Sequence, residues 1–164
     1  MNLGNRYSQH SFAQVPQANI QRSQFDRSIS PSHIMISLDT NIIVRLFIDT
    51  NPAQTAAAER CFAVHNELLI EDIALIEAIW VLTNYYGKDR GAAASCILSV
   101  LKNPKVSCNR ALFTRALHTY KEHPALSIED CCLAVYAELN EATPLLTFDR
   151  KLAAQTRFSE LLSV

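Results

Sequence analysis

Four carboxylates stand inside or at the end of apolar segments: Asp39 in MISLDTNIIVRLF, Glu77 in IALIEAIWVL, Asp130 in LSIEDCCLAVYAEL and Asp149 in PLLTFDRKL. Taking an unpaired carboxylate out of water is costly, so each is expected to find a partner or hold a proton. A divalent cation shared by several of them would offset that cost for all together. Hard oxygen ligands suit Mg²⁺ or Mn²⁺ rather than a soft metal, and such ions keep waters and engage substrate phosphates. The chemistry to expect is phosphodiester hydrolysis by metal-activated water.

Each acid also has an ordinary reading. Asp39 and Asp149 precede helical segments, where Asp accepts hydrogen bonds from free backbone donors. Asp130 comes three residues after Ser127, a variant of the capping box. Glu77 has no cap to make. Among Leu75, Ile76, Ala78, Ile79 and Trp80 it lies on a narrow solvent stripe, with Thr83 and Asn84 as polar support, or else meets a partner inside. No basic residue between Ile73 and Val81 can pair with it. Four such placements together favour a site.

The elements that must position these acids alternate. Short apolar runs predict strands over 35–38, 68–70, 106–107 and 145–147, with a last edge strand over 161–164. A helix or helical turn is expected over 40–48, and helices from Asn51-Pro52 to about 65, through Glu77 to about 87, and over 92–101, 111–122, 127–139 and 150–155. Strand–helix alternation predicts an α/β fold with a short, mostly parallel sheet and helices on both faces. Sites in such folds form beyond the carboxyl ends of the strands. Asp39 and Asp149 each follow a predicted strand directly, and Glu77 and Asp130 lie in helices able to lean over that edge.

At 164 residues, 49% hydrophobic and 19% charged, the chain has the size and composition of one globular domain. A net charge of −1 carries no basic signature, although Lys and Arg recur outside the proposed centre. Five cysteines without a C-x-x-C pair read as reduced, buried thiols of a cytoplasmic protein. The histidines show no metal-ligand spacing, and three glycines leave no room for a phosphate-binding loop. The longest apolar run, over 73–82, carries Glu77 at its middle, so no membrane span is expected. Residues 1–34 are rich in Gln, Ser and Asn and are expected to form a flexible polar extension. They lack the apolar core of a signal peptide, and Met35 is the expected translational start.

The order LDTN, a Glu in a Trp-containing apolar helix, an Asp-led helix and then LLTFD resembles the PIN-domain ribonucleases, and more narrowly the VapC toxins of bacterial toxin–antitoxin pairs. The resemblance covers 35–164. It implies a three-layer α/β/α fold and a Mg²⁺- or Mn²⁺-dependent endoribonuclease. Asp39, Glu77, Asp130 and Asp149 match the family's catalytic and metal-binding acids. Asn41 matches the residue that orients the first acid, and Thr147 a small hydroxyl residue beside the fourth. Arg45 matches a recurrent basic position; with Arg150 and Lys151 it is a candidate for RNA or antitoxin contact, against the plain alternative of solvated surface charge. The implied partners are RNA, a VapB-type antitoxin and a second copy in a homodimer. The chain departs from the family at Ile128-Glu129-Asp130-Cys131, where Phe-Ala-Asp-Ala is commoner; Glu129 is expected to face solvent. Two alternatives stand beside this reading: a housekeeping RNA-processing nuclease without antitoxin, and a non-catalytic module that binds RNA or protein. A phosphatase of the haloacid dehalogenase type is disfavoured, because D-T-N lacks the second Asp of D-x-D.

Overall fold

Helix starts leave backbone donors free, and this chain places an acceptor side chain before most of them. The computed structural model describes residues 35–163. Its elements run β1 (Ile36–Ser37), α1 (Thr40–Arg45), α2 (Pro52–Val64), β2 (Leu68–Leu69) and α3 (Asp72–Trp80), which continues as a π-turn (Val81–Tyr85). Then follow α4 (Arg90–Leu101), β3 (Val106–Ser107), α5 (Arg110–Glu122), α6 (Ile128–Leu139), β4 (Leu145–Thr147), α7 (Arg150–Gln155) and β5 (Ser159–Leu161). Side chains of Asp39, Asn51, Asp89, Asn109, Ser127 and Asp149 cap α1, α2, α4, α5, α6 and α7. The extension expected over 1–34 lies outside the described residues.

All strand pairings are parallel. The first ladder runs β1-β2-β3, with Ile36 opposite Leu68 and Leu68 opposite Val106; β4 and β5 form a second ladder, with Leu145 opposite Ser159. Helices between the strands make this the α/β PIN-like arrangement expected. Buried Leu38, Leu68, Ile70 and Val106 form the sheet's share of the core. Against them pack Leu75 and Ile79 from α3, Ile97 from α4, Leu112, Phe113 and Leu117 from α5, and Cys131 and Val135 from α6.

Three expectations shift. The first helix ends at Arg45, where Leu46 and Phe47 bond back to the carbonyls of Ile43 and Val44 in a tighter turn. The last strand lies at Ser159–Leu161 rather than over 161–164, whose final residue is outside the described residues. Leu145 N–H donates to the Phe158 carbonyl at 2.7 Å and Leu162 N–H to that of Thr147 at 2.8 Å, and these two bonds set the register. The helix through Glu77 widens after Trp80, and Gly87, at φ +66°, ends the segment in a conformation that side chains disfavour.

Two ties hold the helices that matter for the site. Arg90, at the start of α4, donates through Nη2 to the carbonyls of Tyr120, His123 and Leu126 at 2.6, 3.2 and 2.8 Å, with its guanidinium 3.5 Å from the Tyr120 ring centre. It thereby fixes the link between α5 and α6. Tyr136 on α6 donates to Asp72 on α3, and Asn109 Nδ2 bridges both, at 3.4 Å from Asp72 and 3.3 Å from the Tyr136 hydroxyl. That bond to a carboxylate pushes the Tyr136 hydroxyl above its ordinary pKa. No helix among the described residues is long and apolar enough to cross a membrane.

All five cysteines are free; Cys131 and Cys132 are buried, and Cys61, Cys96 and Cys108 are half-buried. Burial pushes the Cys131 and Cys132 thiols from 9.0 up to about 12; at Cys131 the Arg90 charge partly opposes this, and nearby negative charge adds to it at both. A folded-state pKa raised this way gives stability that is complete below about pH 9 and is lost as pH rises towards 12. The urea midpoint should therefore fall across that window, and less steeply in the Cys131→Ala/Cys132→Ala double variant. Equal slopes would exclude the thiols as the cause.

Candidate active site

Asp39 leaves the carboxyl end of β1 and caps α1: its Oδ1 accepts Ile42 N–H at 3.0 Å. The side chain is exposed, and Oδ2 has no partner among the described residues. The next residue, Thr40, is 7% exposed and reaches across to α3, donating its hydroxyl to Glu77 Oε2 at 2.6 Å. Two of the four acids are thus joined through one residue of D-T-N. Oε1 of Glu77 is left without a partner among the described residues.

Glu77 itself is exposed, which corrects the expectation that these acids are taken out of water. Helix α3 buries Ala74, Leu75, Ala78 and Ile79 and turns Ile73, Glu77 and Trp80 outward. Its apolar sequence reflects a core face plus exposed apolar residues, so Glu77 lies on the solvent stripe. Thr83 and Asn84 serve the helix instead, bonding back to the carbonyls of Ile79 and Trp80. Asp130 is half-buried at the third position of α6 and forms a full capping box with Ser127: Oδ2 accepts from Ser127 N–H at 3.0 Å and from its hydroxyl at 2.8 Å. Asp149 caps α7 through Oδ1, which accepts from Lys151 and Leu152 N–H at 2.7 and 3.1 Å. All three aspartates therefore make the caps weighed for them, and each does so with one oxygen, leaving the other available.

Two surface hollows lie near these positions. One of about 500 Å³ is lined by Asp39, Asn41, Arg45 and Gln54, between α1 and α2. Another of about 410 Å³ runs from Trp80 and Thr83 to Ser127 and Glu129 at the start of α6. Asp39 lines the first, while Glu77 lies one helical turn before Trp80 of the second, and Asp130 follows Glu129 at its far end; Asp149 lines neither and shares no hydrogen bond with the other three acids among the described residues. No group of three or more His, Cys, Asp or Glu among the described residues is close enough to hold a metal ready-made. The expected four-acid coordination sphere is not assembled in this structure. The donor set still fits Mg²⁺ chemically, because that ion keeps several waters and needs only one or two carboxylates besides substrate phosphate.

The supporting residues divide. Thr147 Oγ1 accepts Asp149 N–H at 2.9 Å and so shapes the turn that presents the acid. Asn41 is exposed and makes no hydrogen bond to Asp39; the Ile42 N–H orients that carboxylate. Arg45 is held by Gln54 Oε1 and Thr50 Oγ1, at 2.8 and 2.6 Å. Arg150 and Lys151 are exposed at the start of α7, and Glu129 is exposed as expected. Sequence reading missed the bond from Thr40 to Glu77, for which a hydroxyl between Asp39 and the helix was the available signal. It also passed over Asp72 and its bond to Tyr136, since an acid in a first helical turn is ordinary.

Residues 36–157 match the PIN domain family. No curated protein matches the chain. The matched segment begins in β1, contains all four acids and ends just beyond α7. PIN domains are generally metal-dependent nucleases. The family match over most of the chain, carried on parallel strands that deliver Asp39 to the site edge, makes this chain a member of the PIN-domain family, with a fold of nuclease type.

Proposed function

We propose that the chain is a Mg²⁺- or Mn²⁺-dependent endoribonuclease of the VapC type, the toxin of a cytoplasmic toxin–antitoxin pair, held in check by a VapB-type antitoxin and active as a homodimer. The observation that carries the nuclease reading is the bond from Thr40 to Glu77, which joins the acid after β1 to the acid of α3. A bound Mg²⁺ or Mn²⁺ supplies Lewis-acid stabilisation of phosphate charge and lowers the pKa of water. Asp39, Glu77, Asp130 and Asp149 would hold it through their free oxygens, directly or through water.

The chain's own residues do the rest. A free carboxylate oxygen takes a proton from the attacking water, whose oxygen bonds to phosphorus in line as the P–O3′ bond breaks; the departing 3′ oxygen takes a proton from solvent, giving a 3′-hydroxyl and a 5′-phosphate. Thr40 restrains Glu77 by donating to Oε2, which leaves Oε1 free to act. Arg45, fixed by neutral partners, retains its charge for phosphate or antitoxin contact, and exposed Arg150 and Lys151 are further candidates. The toxin assignment rests on the resemblance of LDTN, the Glu77 helix and LLTFD to that family.

Inducible expression of the wild type beside Asp39→Asn and Glu77→Gln tests the whole proposal. Growth arrest with discrete new 5′-phosphate ends in total RNA, both abolished in the variants, is the expected result. Identical behaviour of all three would sink the toxin reading and favour a binding module. In the purified protein, a chelator should stop cleavage and Mg²⁺ or Mn²⁺ should restore it. Thr40→Val should slow cleavage about ten-fold, as the loss of a hydrogen bond to a charged group typically does. Its melting temperature should change little, because exposed Glu77 can take water in exchange. An unchanged rate would remove Thr40 from the site.

A further inference from the structure

Trp80 is the chain's one tryptophan, and 52% of it is exposed. It follows Glu77 by three residues, so the indole and the carboxylate share one helix face. The ring forms a wall common to two hollows. One, of about 290 Å³, includes Asn41 and Arg45 of α1 and Tyr85. The other is the hollow that reaches Ser127 and Glu129 at the start of α6 and includes Arg90. A planar group in either hollow can therefore meet Trp80, and the smaller one also borders Asn41 and Arg45 beside Asp39.

The π-turn adds a second aromatic face. Bonding from residue i to i+5 brings position 85 round above position 80, where an α-helix would turn it away; Tyr86 N–H accordingly bonds the Val81 carbonyl at 3.1 Å. Tyr85 is 74% exposed, and its ring is braced edge-on by Tyr86, at 4.8 Å between centres and 82° between planes. Each hollow also holds one arginine whose charge is not neutralised. Arg45 bonds only Gln54 and Thr50, and Arg90 only backbone carbonyls, so neither meets a carboxylate among the described residues. Two exposed aromatic side chains beside the Arg45 charge in one hollow complement stacked bases and a phosphate.

We infer that Trp80 and Tyr85, which share one hollow with Arg45, form a stacking platform on which bases of the substrate RNA rest beside Glu77. The inference rests on the nuclease reading for its substrate. A duplex conceals its base faces and does not fit; stacking tolerates any base, so the platform selects strandedness rather than sequence.

Because the chain has one tryptophan, its fluorescence reports the contact directly. With chelator present to prevent cleavage, titration of the full chain with a short single-stranded oligoadenylate should quench the emission saturably. The same strand annealed to its complement should not. Tyr85→Leu, which keeps the reporter, should weaken binding roughly five-fold or more, and Trp80→Leu, followed by anisotropy of a labelled strand, roughly ten-fold, with Trp80→Phe retaining most of the affinity. Absence of quenching, or equal quenching by duplex, would overturn the platform and leave the aromatic face to a protein partner. Cleavage is read separately, in Mg²⁺. Cleavage without quenching defeats only the platform, whereas quenching without cleavage of any RNA defeats only the nuclease.

Discussion

Because β1, β2 and β3 run parallel with Ile36, Leu68 and Val106 abreast, no two of them can be joined by a tight turn, and each connection must return across the sheet. That constraint makes the intervening segments helical and sends all three strands out at one edge. Asp39, Asp72 and Asn109 follow β1, β2 and β3 within three residues, so the polar residues of the loops gather there. The apolar strand residues fix the register, and the register fixes where the carboxylates are delivered.

The aspartates then serve two purposes with different atoms. One oxygen of Asp39, Asp130 and Asp149 satisfies backbone donors at a helix start, where the helix dipole also favours negative charge. The other oxygen stays available. Capping and ligation are therefore compatible, and the caps hold each side chain in one rotamer. Glu77, in mid-helix, lacks that support and receives it from Thr40 instead. The bond between Tyr136 and Asp72 keeps α6 in register with α3, and Arg90 fixes the loop that leads into α6. The positions of Asp130 and Glu77 thus depend on contacts made well away from either carboxylate.

The face around Glu77 combines exposed aromatic surface with arginines bonded only to neutral acceptors. Fixing a guanidinium on amides, hydroxyls and carbonyls removes its conformational freedom without cancelling its charge. The π-turn after Trp80 gives up regular helix geometry and brings Tyr85 to the same side. Irregular helix of this kind is frequent at functional sites, and here it enlarges the aromatic surface beside the acids.

Much of the scaffold was legible in the sequence. The strands 106–107 and 145–147, the Asn51-Pro52 start and the helix opening at Ser127 depend on neighbours in the chain, and caps and periodicity report such neighbours faithfully. The capping roles of Asp39, Asp130 and Asp149 were equally legible. Whether Glu77 is buried was not, because a helix with apolar residues on every side gives no periodic signal for which face meets the core; the packing of α3 decided it. The bond from Thr40, the clamp between Asp72 and Tyr136, the division of the strands into two ladders and the open face of Trp80 all join residues far apart in the chain. A sequence determines which groups are available and where helices begin. Only the tertiary structure decides which of those groups meet, because the contacts that place them are made between elements that local preference cannot see.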